Sequence, residues 1–128
     1  MTILNTMQHS LTNQQSDQLT DMGHDWDSIV SLKELDPDLF AGVSNCPADE
    51  RILQMLAERL ANVIMDGYEA VILPIGSPAF MFILSRSFGS VRPKFLFAHT
   101  ERMSEDQRQD DGTVKKVSIF KHIKWIVL

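Results

Sequence analysis

At 128 residues, 44% of them hydrophobic and 23% charged, the chain has the size and apolar content of one domain around one core, which excludes disorder and a membrane-embedded protein. Its formal net charge of −5 argues against sequence-independent binding to long nucleic acid, which needs a broad cationic face. The single cysteine, Cys46, excludes an internal disulfide and a cysteine-rich zinc site, and is expected to be an inert small residue in a loop.

Thr2 to Met7 alternates as a short first strand, and Gln8 to Leu11 connects it to a polar helix running from Thr12 to about Met22. Ile29 to Leu32 reads as a second strand, Leu35 to Phe40 as a helical turn with Pro37 near its start, and Gly42 to Pro47 as a loop. A long amphipathic helix is predicted from about Ala48 to Asp66, with Ile52, Met55, Leu56, Leu60, Val63 and Ile64 on its apolar stripe and Gly67 as its C-terminal cap. Ala70 to Leu73 is a buried strand that runs into Gly76-Ser77-Pro78. That triplet supplies a tight backbone, an N-cap hydroxyl and a proline at the first helical position, so a helix follows over Ala79 to Phe88. Lys94 to Ala98 is a strand, Met103 to Gly112 an acidic surface excursion, and Val114 to Phe120 and His122 to Val127 two final strands. This order predicts an α/β fold: a Rossmann-type three-layer domain over residues 1–128, with a mostly parallel sheet and a C-terminal antiparallel strand pair.

The longest apolar stretches are broken by Gly76-Ser77-Pro78 and fall short of a bilayer span, and Met1 to His9 lacks the layout of a secretion signal. The expectation is a cytoplasmic protein without membrane contact. Charge is uneven, with Lys115, Lys116, Lys121 and Lys124 near the end and Asp and Glu dominating Asp17 to Asp38, so a compact anion could find a local positive site.

In such folds ligands sit above the carboxyl ends of the strands. That rule selects His9 and Ser10 after the first strand, Gly76 and Ser77 after a central one, and His99, Thr100, Glu101 and Arg102 after another. The Gly76-Ser77 turn at a helix start points backbone N–H groups at a bound anion, or simply turns the chain. His9, Ser77, Thr100 and Arg102 could position a hydroxyl, hold phosphate oxygens and move a proton without a metal. Arg102 carries the planar fork that grips one phosphate twice, or else pairs with Glu101 or Glu105. His9 could instead cap the helix at Thr12, and His122 faces a ligand or packs at a sheet edge. His24, beside Asp25 and Asp27, reads as a loop residue. The histidines lack metal-ligand spacing, and the serine turn lacks a Gly-x-Ser-x-Gly elbow, so neither a metal nor another cofactor is expected.

Taken together, His9-Ser-Leu-Thr-Asn-Gln-Gln15, the glycine turn after a central strand, His99-Thr-Glu-Arg102 and Ile119-Phe-Lys-His-Ile-Lys124 resemble a small family of stand-alone CRISPR-associated proteins of type III systems that are similar to CARF domains. The resemblance spans nearly the whole chain. It implies a CARF-like domain acting as a ring nuclease: a homodimer that binds cyclic oligoadenylate, with cyclic tetra-adenylate as the expected ring, and cuts it to linear di-adenylate without a metal. On that reading His9, Arg102 and His122 are catalytic, and Ser10, Thr12, Gly76, Ser77, His99, Thr100 and Lys121 bind the ligand. The turn Pro74-Ile-Gly-Ser-Pro-Ala79 departs from the more glycine-rich, acidic turn expected of relatives. The alternatives are a sensor or sponge that holds the ring uncut, and a small acidic protein-interaction module.

Overall fold

The computed structural model describes residues 2–22, 28–73 and 77–128. His24, Asp25, Asp27, Gly76 and the Pro74-Ile75 part of the turn therefore lie outside the described residues. In chain order the elements are β1 (Thr2–Asn5), α1 (Asn13–Asp21), β2 (Ser28–Ser31), α2 (Leu32–Leu35), α3 (Pro37–Ser44), α4 (Glu50–Met65), β3 (Ala70–Ile72), α5 (Pro78–Arg86), β4 (Lys94–Arg108) and β5 (Val114–Val127).

Five strands form one sheet in the order β2-β1-β3-β4-β5, the first four parallel and β5 antiparallel to β4. Alternation along the short central strands divides the core in two. Ile3, Ala70, Ile72 and Leu96 face α1, where Leu19 and Trp125 complete one apolar cluster. Leu4, Val71 and Phe95 face the opposite way, against Leu39, Phe40, Leu60, Ile64 and Leu84 of α3, α4 and α5. Because β3 is covered on both faces, it reads as an unbroken apolar run. The fold is the expected α/β domain with a mostly parallel sheet.

Helix boundaries follow capping chemistry. Thr12 caps α1 with a reciprocal box: its hydroxyl accepts the Gln15 N–H at 3.2 Å, while the Gln15 side chain accepts the Thr12 N–H at 3.1 Å. Ser77 caps α5 by accepting the Phe80 N–H at 3.2 Å, with Pro78 at the first turn as its sequence position predicts. Asp49 starts α4, and Gly67, at φ +152°, lies just beyond its end in a region other residues avoid.

Three expectations need correction. The α4 stripe is Leu53, Leu56, Ala57, Leu60, Ala61 and Ile64, while Ile52 and Met55 are 39% and 51% exposed. That stripe packs into the apolar cluster shared with α3, α5 and the sheet, and Ile52 and Met55 lie off it. Residues Gly42 to Ser44 are helical, and Leu35 to Phe40 belongs to two helices separated at Asp36, whose carboxylate caps α3 and pairs with Arg59 at 3.4 Å. Gly42 is small because α3 packs tightly on α4: a Cβ there would lie 2.7 Å from Leu56 Cδ2.

The third correction is the largest. Met103 to Arg108 is not an excursion but the far half of β4, and the two predicted last strands are one strand, β5, paired with β4 from Leu96↔Val127 to Arg108↔Val114. Asp111-Gly112 turns the hairpin, with Gly112 at φ +85° and the Asp111 carboxylate accepting the Thr113 hydroxyl at 2.6 Å and N–H at 3.0 Å. These bonds hold the Asp111 carboxyl below the usual range. Cys46 follows α3 in a loop, half-buried, with its thiol donating to the Val43 carbonyl at 3.3 Å, and burial pushes the thiol pKa up.

Candidate functional site

The chain leaves β1 toward β2 and later returns to β3 on the other side of β1, so the strand order reverses direction at the β1/β3 boundary. In open α/β sheets the crevice above that point is where ligands bind. Two buried polar residues shape it. Asn5 accepts the Met7 N–H at 2.9 Å through Oδ1 and donates from Nδ2 to the His9 carbonyl at 3.2 Å, which folds the β1–α1 loop on itself. Thr6 donates its hydroxyl to the Ile72 carbonyl at 2.6 Å and joins the ends of β1 and β3. Neither was singled out in the sequence, although a short polar residue ending an apolar strand is a usual turn former.

The loop so built presents His9 and Ser10. His9 is exposed, and since Thr12 is the helix cap, the imidazole is not spent on that role. Ser10 lines a polar cleft of about 340 Å³ with Asn5, Asn13, Ser16, Ser31 and Glu34, on the β2 side of α1. Thr12 and Ser77 both use their hydroxyl oxygens to accept helix N–H groups, and each O–H remains able to donate.

On the other side of α1 lies a seam with β5. Pairing shifts register between His99 and Thr100: His99 sits opposite Lys124 but Thr100 opposite His122, leaving Ile123 as an extra residue. Such a bulge re-aims the side chains beyond it. In a regular strand His122 and Trp125 would face opposite sides; here their rings lie 5.3 Å apart, both toward α1. Trp125 donates from Nε1 to the Gln15 carbonyl at 2.9 Å, and Gln18 donates from Nε2 to the Ile123 carbonyl at 3.0 Å. That second bond leaves Gln18 Oε1, an acceptor, 2.6 Å from His122 Nε2, so Nε2 carries the proton and Nδ1 the lone pair. Nδ1 is buried with no partner among the described residues, and burial, with a smaller contribution from nearby His99, holds the imidazole pKa below its ordinary value. Of its two expected roles, His122 takes packing in this state, strapping α1 to the sheet edge.

Past the bulge, β4 alternates regularly. Thr100 and Arg102 share the α1 face with His122, while His99, Glu101 and Lys121 lie on the opposite face, where His99 Nε2 approaches Glu101 Oε1 at 3.7 Å. Alternation also separates Arg102 from Glu101 and Glu105, and it forms no ion pair with either, so its exposed guanidinium is open to an anion. The structure thus brings together Thr100, Arg102 and His122, puts His99 and Lys121 behind them, and leaves Ser77 at the α5 N-terminus beside the undescribed Gly76. Gln14, Gln18 and Trp125, which build the seam, carried no functional signal in the sequence.

Among the described residues no group of three or more His, Cys, Asp or Glu is placed to hold a metal ion, and no helix is long and apolar enough to cross a membrane. A family profile described as "Uncharacterized protein MJ1673 family" matches residues 1–126, and the chain belongs to that family. Neither a curated protein nor a solved structure matches it.

Proposed function

We propose that this member of the MJ1673 family is a metal-independent ring nuclease that binds cyclic oligoadenylate, cyclic tetra-adenylate in particular, and cuts it to linear di-adenylate, ending type III CRISPR signalling in the cytoplasm. The observation that carries this reading, beside the motif resemblance, is the exposed guanidinium of Arg102, without an ion pair among the described residues, on one face with Thr100 where β4 runs past the end of β3. A fork of N–H donors and a hydroxyl suit a phosphodiester, and a local site of this kind needs no global positive charge.

In the reaction, the ribose 2′-oxygen attacks the adjacent phosphorus, the bond to the 5′-oxygen breaks, and a 2′,3′-cyclic phosphate forms. The proton leaves the 2′-hydroxyl and a proton reaches the 5′-oxygen. His9 is the exposed imidazole on the β1–α1 loop and fits either transfer. Arg102 and Thr100 hold the phosphate oxygens as charge builds, with Ser10, Thr12 and Ser77 as further donors. His122 reaches a ligand only after Gln18 lets go of it, so its first contribution is to keep α1 and the hairpin in register. A homodimer offers each of these groups twice, matching a ring with repeated phosphates.

The test is incubation with labelled cyclic tetra-adenylate in EDTA, with products resolved by chromatography. Linear di-adenylate ending in a cyclic phosphate is expected, and His9→Ala is expected to slow single-turnover cleavage by about 10²- to 10⁴-fold with little change in affinity. Tight binding with no cleavage would instead make the protein a sensor or sponge.

A further inference from the structure

Beyond the sheet, Thr100–Arg108 and Val114–His122 continue as a two-stranded arm, roughly 30 Å long at the usual strand rise. None of the described residues covers it. Phe120 is 74% exposed, Val114 60% and Met103 44%, and a lone two-stranded ribbon is marginal in water. β3 ends at Ile72, opposite Leu96, so along the arm the outer edge of β4 has no strand neighbour among the described residues and its backbone groups on that side are open to another strand. Open edges invite another strand unless they are blocked.

The two edges of the arm differ in how they are defended. On β5 the charged side chains are Lys115, Lys116 and Lys121, which repel a second copy. On β4 they are Glu101, Arg102, Glu105, Asp106 and Arg108, with no lysine and no proline. That pattern is self-complementary in one register. With Ser104 on a two-fold axis perpendicular to the sheet, antiparallel β4 strands place Arg102 opposite the partner's Asp106 twice, Thr100 opposite Arg108, Glu101 opposite Gln107 and Met103 opposite Glu105, with no like charges facing. Moving the axis to Met103 sets Glu101 against Glu105; moving it to Glu105 sets Glu105 against itself and Arg102 against Arg108. Opposite charges stabilise directly facing pairs and like charges destabilise them.

We propose that the β4 edge of the arm, centred on Ser104, pairs antiparallel with the same edge of a second copy, joining two arms into a continuous four-stranded sheet. An axis perpendicular to that sheet keeps both α1 faces on one side, which puts the two copies of Arg102 about 13 Å apart along the strands. The pairing gives the proposed homodimer its surface. Its use in holding one ring between two sites rests on the ring-nuclease reading.

Cross-linking tests the register. Residues facing each other across antiparallel strands have Cα atoms about 4.5–5.5 Å apart, within reach of a disulfide. On a Cys46→Ser background, Ser104→Cys should oxidise to a covalent dimer at low micromolar concentration, while Ser118→Cys, equally exposed on β5, stays monomeric. Light scattering should give a dimer for the wild type, and Asp106→Lys, which faces Arg102 of the copy with like charge, should weaken it at least tenfold with the circular dichroism unchanged. A monomeric wild type, or equal cross-linking of the two cysteine variants, would overturn the pairing. Cyclic tetra-adenylate cleavage is read on the same samples. A dimer that leaves the ring intact overturns the nuclease reading and not the pairing; a monomer that cuts it does the reverse.

Discussion

At the scale of single residues, the division of labour is set by which polar groups are already spent. Arg102 is unspent, so Arg102→Ala should weaken ring binding by about 1.5–3 kcal/mol, the worth of a hydrogen-bonded charge, whereas Lys116→Ala, an exposed lysine further out on the arm, should cost little. Titration calorimetry compares them, and equal small effects would remove Arg102 from the site. His122 is spent, and its lowered pKa has a consequence for stability. The fold favours the neutral ring, so the histidine's contribution is complete above its ordinary value of 6.5 and is lost as pH falls through the lowered folded value. The difference in urea midpoint between wild type and His122→Phe, which keeps a ring against Trp125 and cannot titrate, should therefore narrow as pH drops from about 7.5 to about 5. A constant difference would mean that protonation of His122 is not linked to folding.

At the scale of elements, the packing of α3 on α4 depends on the absence of one side chain. Gly42→Val would drive two methyl groups into Leu56, whose Cδ2 already lies where a Cβ would clash, and overpacking of this kind costs about 1–3 kcal/mol. Chemical denaturation should show that loss, and a variant as stable as the wild type would mean the helices separate freely. The seam between α1 and β5 behaves differently, because three glutamine contacts and one indole hydrogen bond hold it beside the apolar cluster that Leu19 and Trp125 share. Gln18→Ala removes the partner of the His122 proton and the donor to Ile123. Nitrogen chemical shifts of the His122 ring should then move away from a single Nε2–H tautomer. An unchanged tautomer would show that Gln18 does not set it.

At the scale of the molecule, the arm lies outside the two core clusters. The two core clusters draw on β4 only through Phe95, Leu96 and their half-buried neighbours, and no arm residue beyond Thr100 joins them. A variant in which an Asn-Gly turn joins Arg102 to Phe120 should keep the wild-type melting temperature within a few degrees and be a monomer by light scattering. A large loss of stability would show that the arm belongs to the folding unit.

The sequence by itself determined the elements whose signals are local. The Thr12 and Ser77 caps, the Gly67 terminus, the alternation of β1 and the apolar run of β3 each follow from residues a few positions apart, and together they point to a mostly parallel α/β sheet. The strand-end rule then picked out Thr100 and Arg102, although they lie inside β4 and not beyond its end. Only the tertiary structure decided the rest. The rotation of α4 follows from the apolar cluster it shares with α3, α5 and the sheet, where Ala57 and Ala61 lie on the buried stripe, which the spacing of larger residues concealed. β4 and β5 keep each other extended through cross-strand hydrogen bonds over a segment whose own composition is acidic and polar, so its sequence reads as loop. Last, one extra residue at Ile123 sets which face His122 occupies, and a bulge is a property of two strands in register, invisible in either alone.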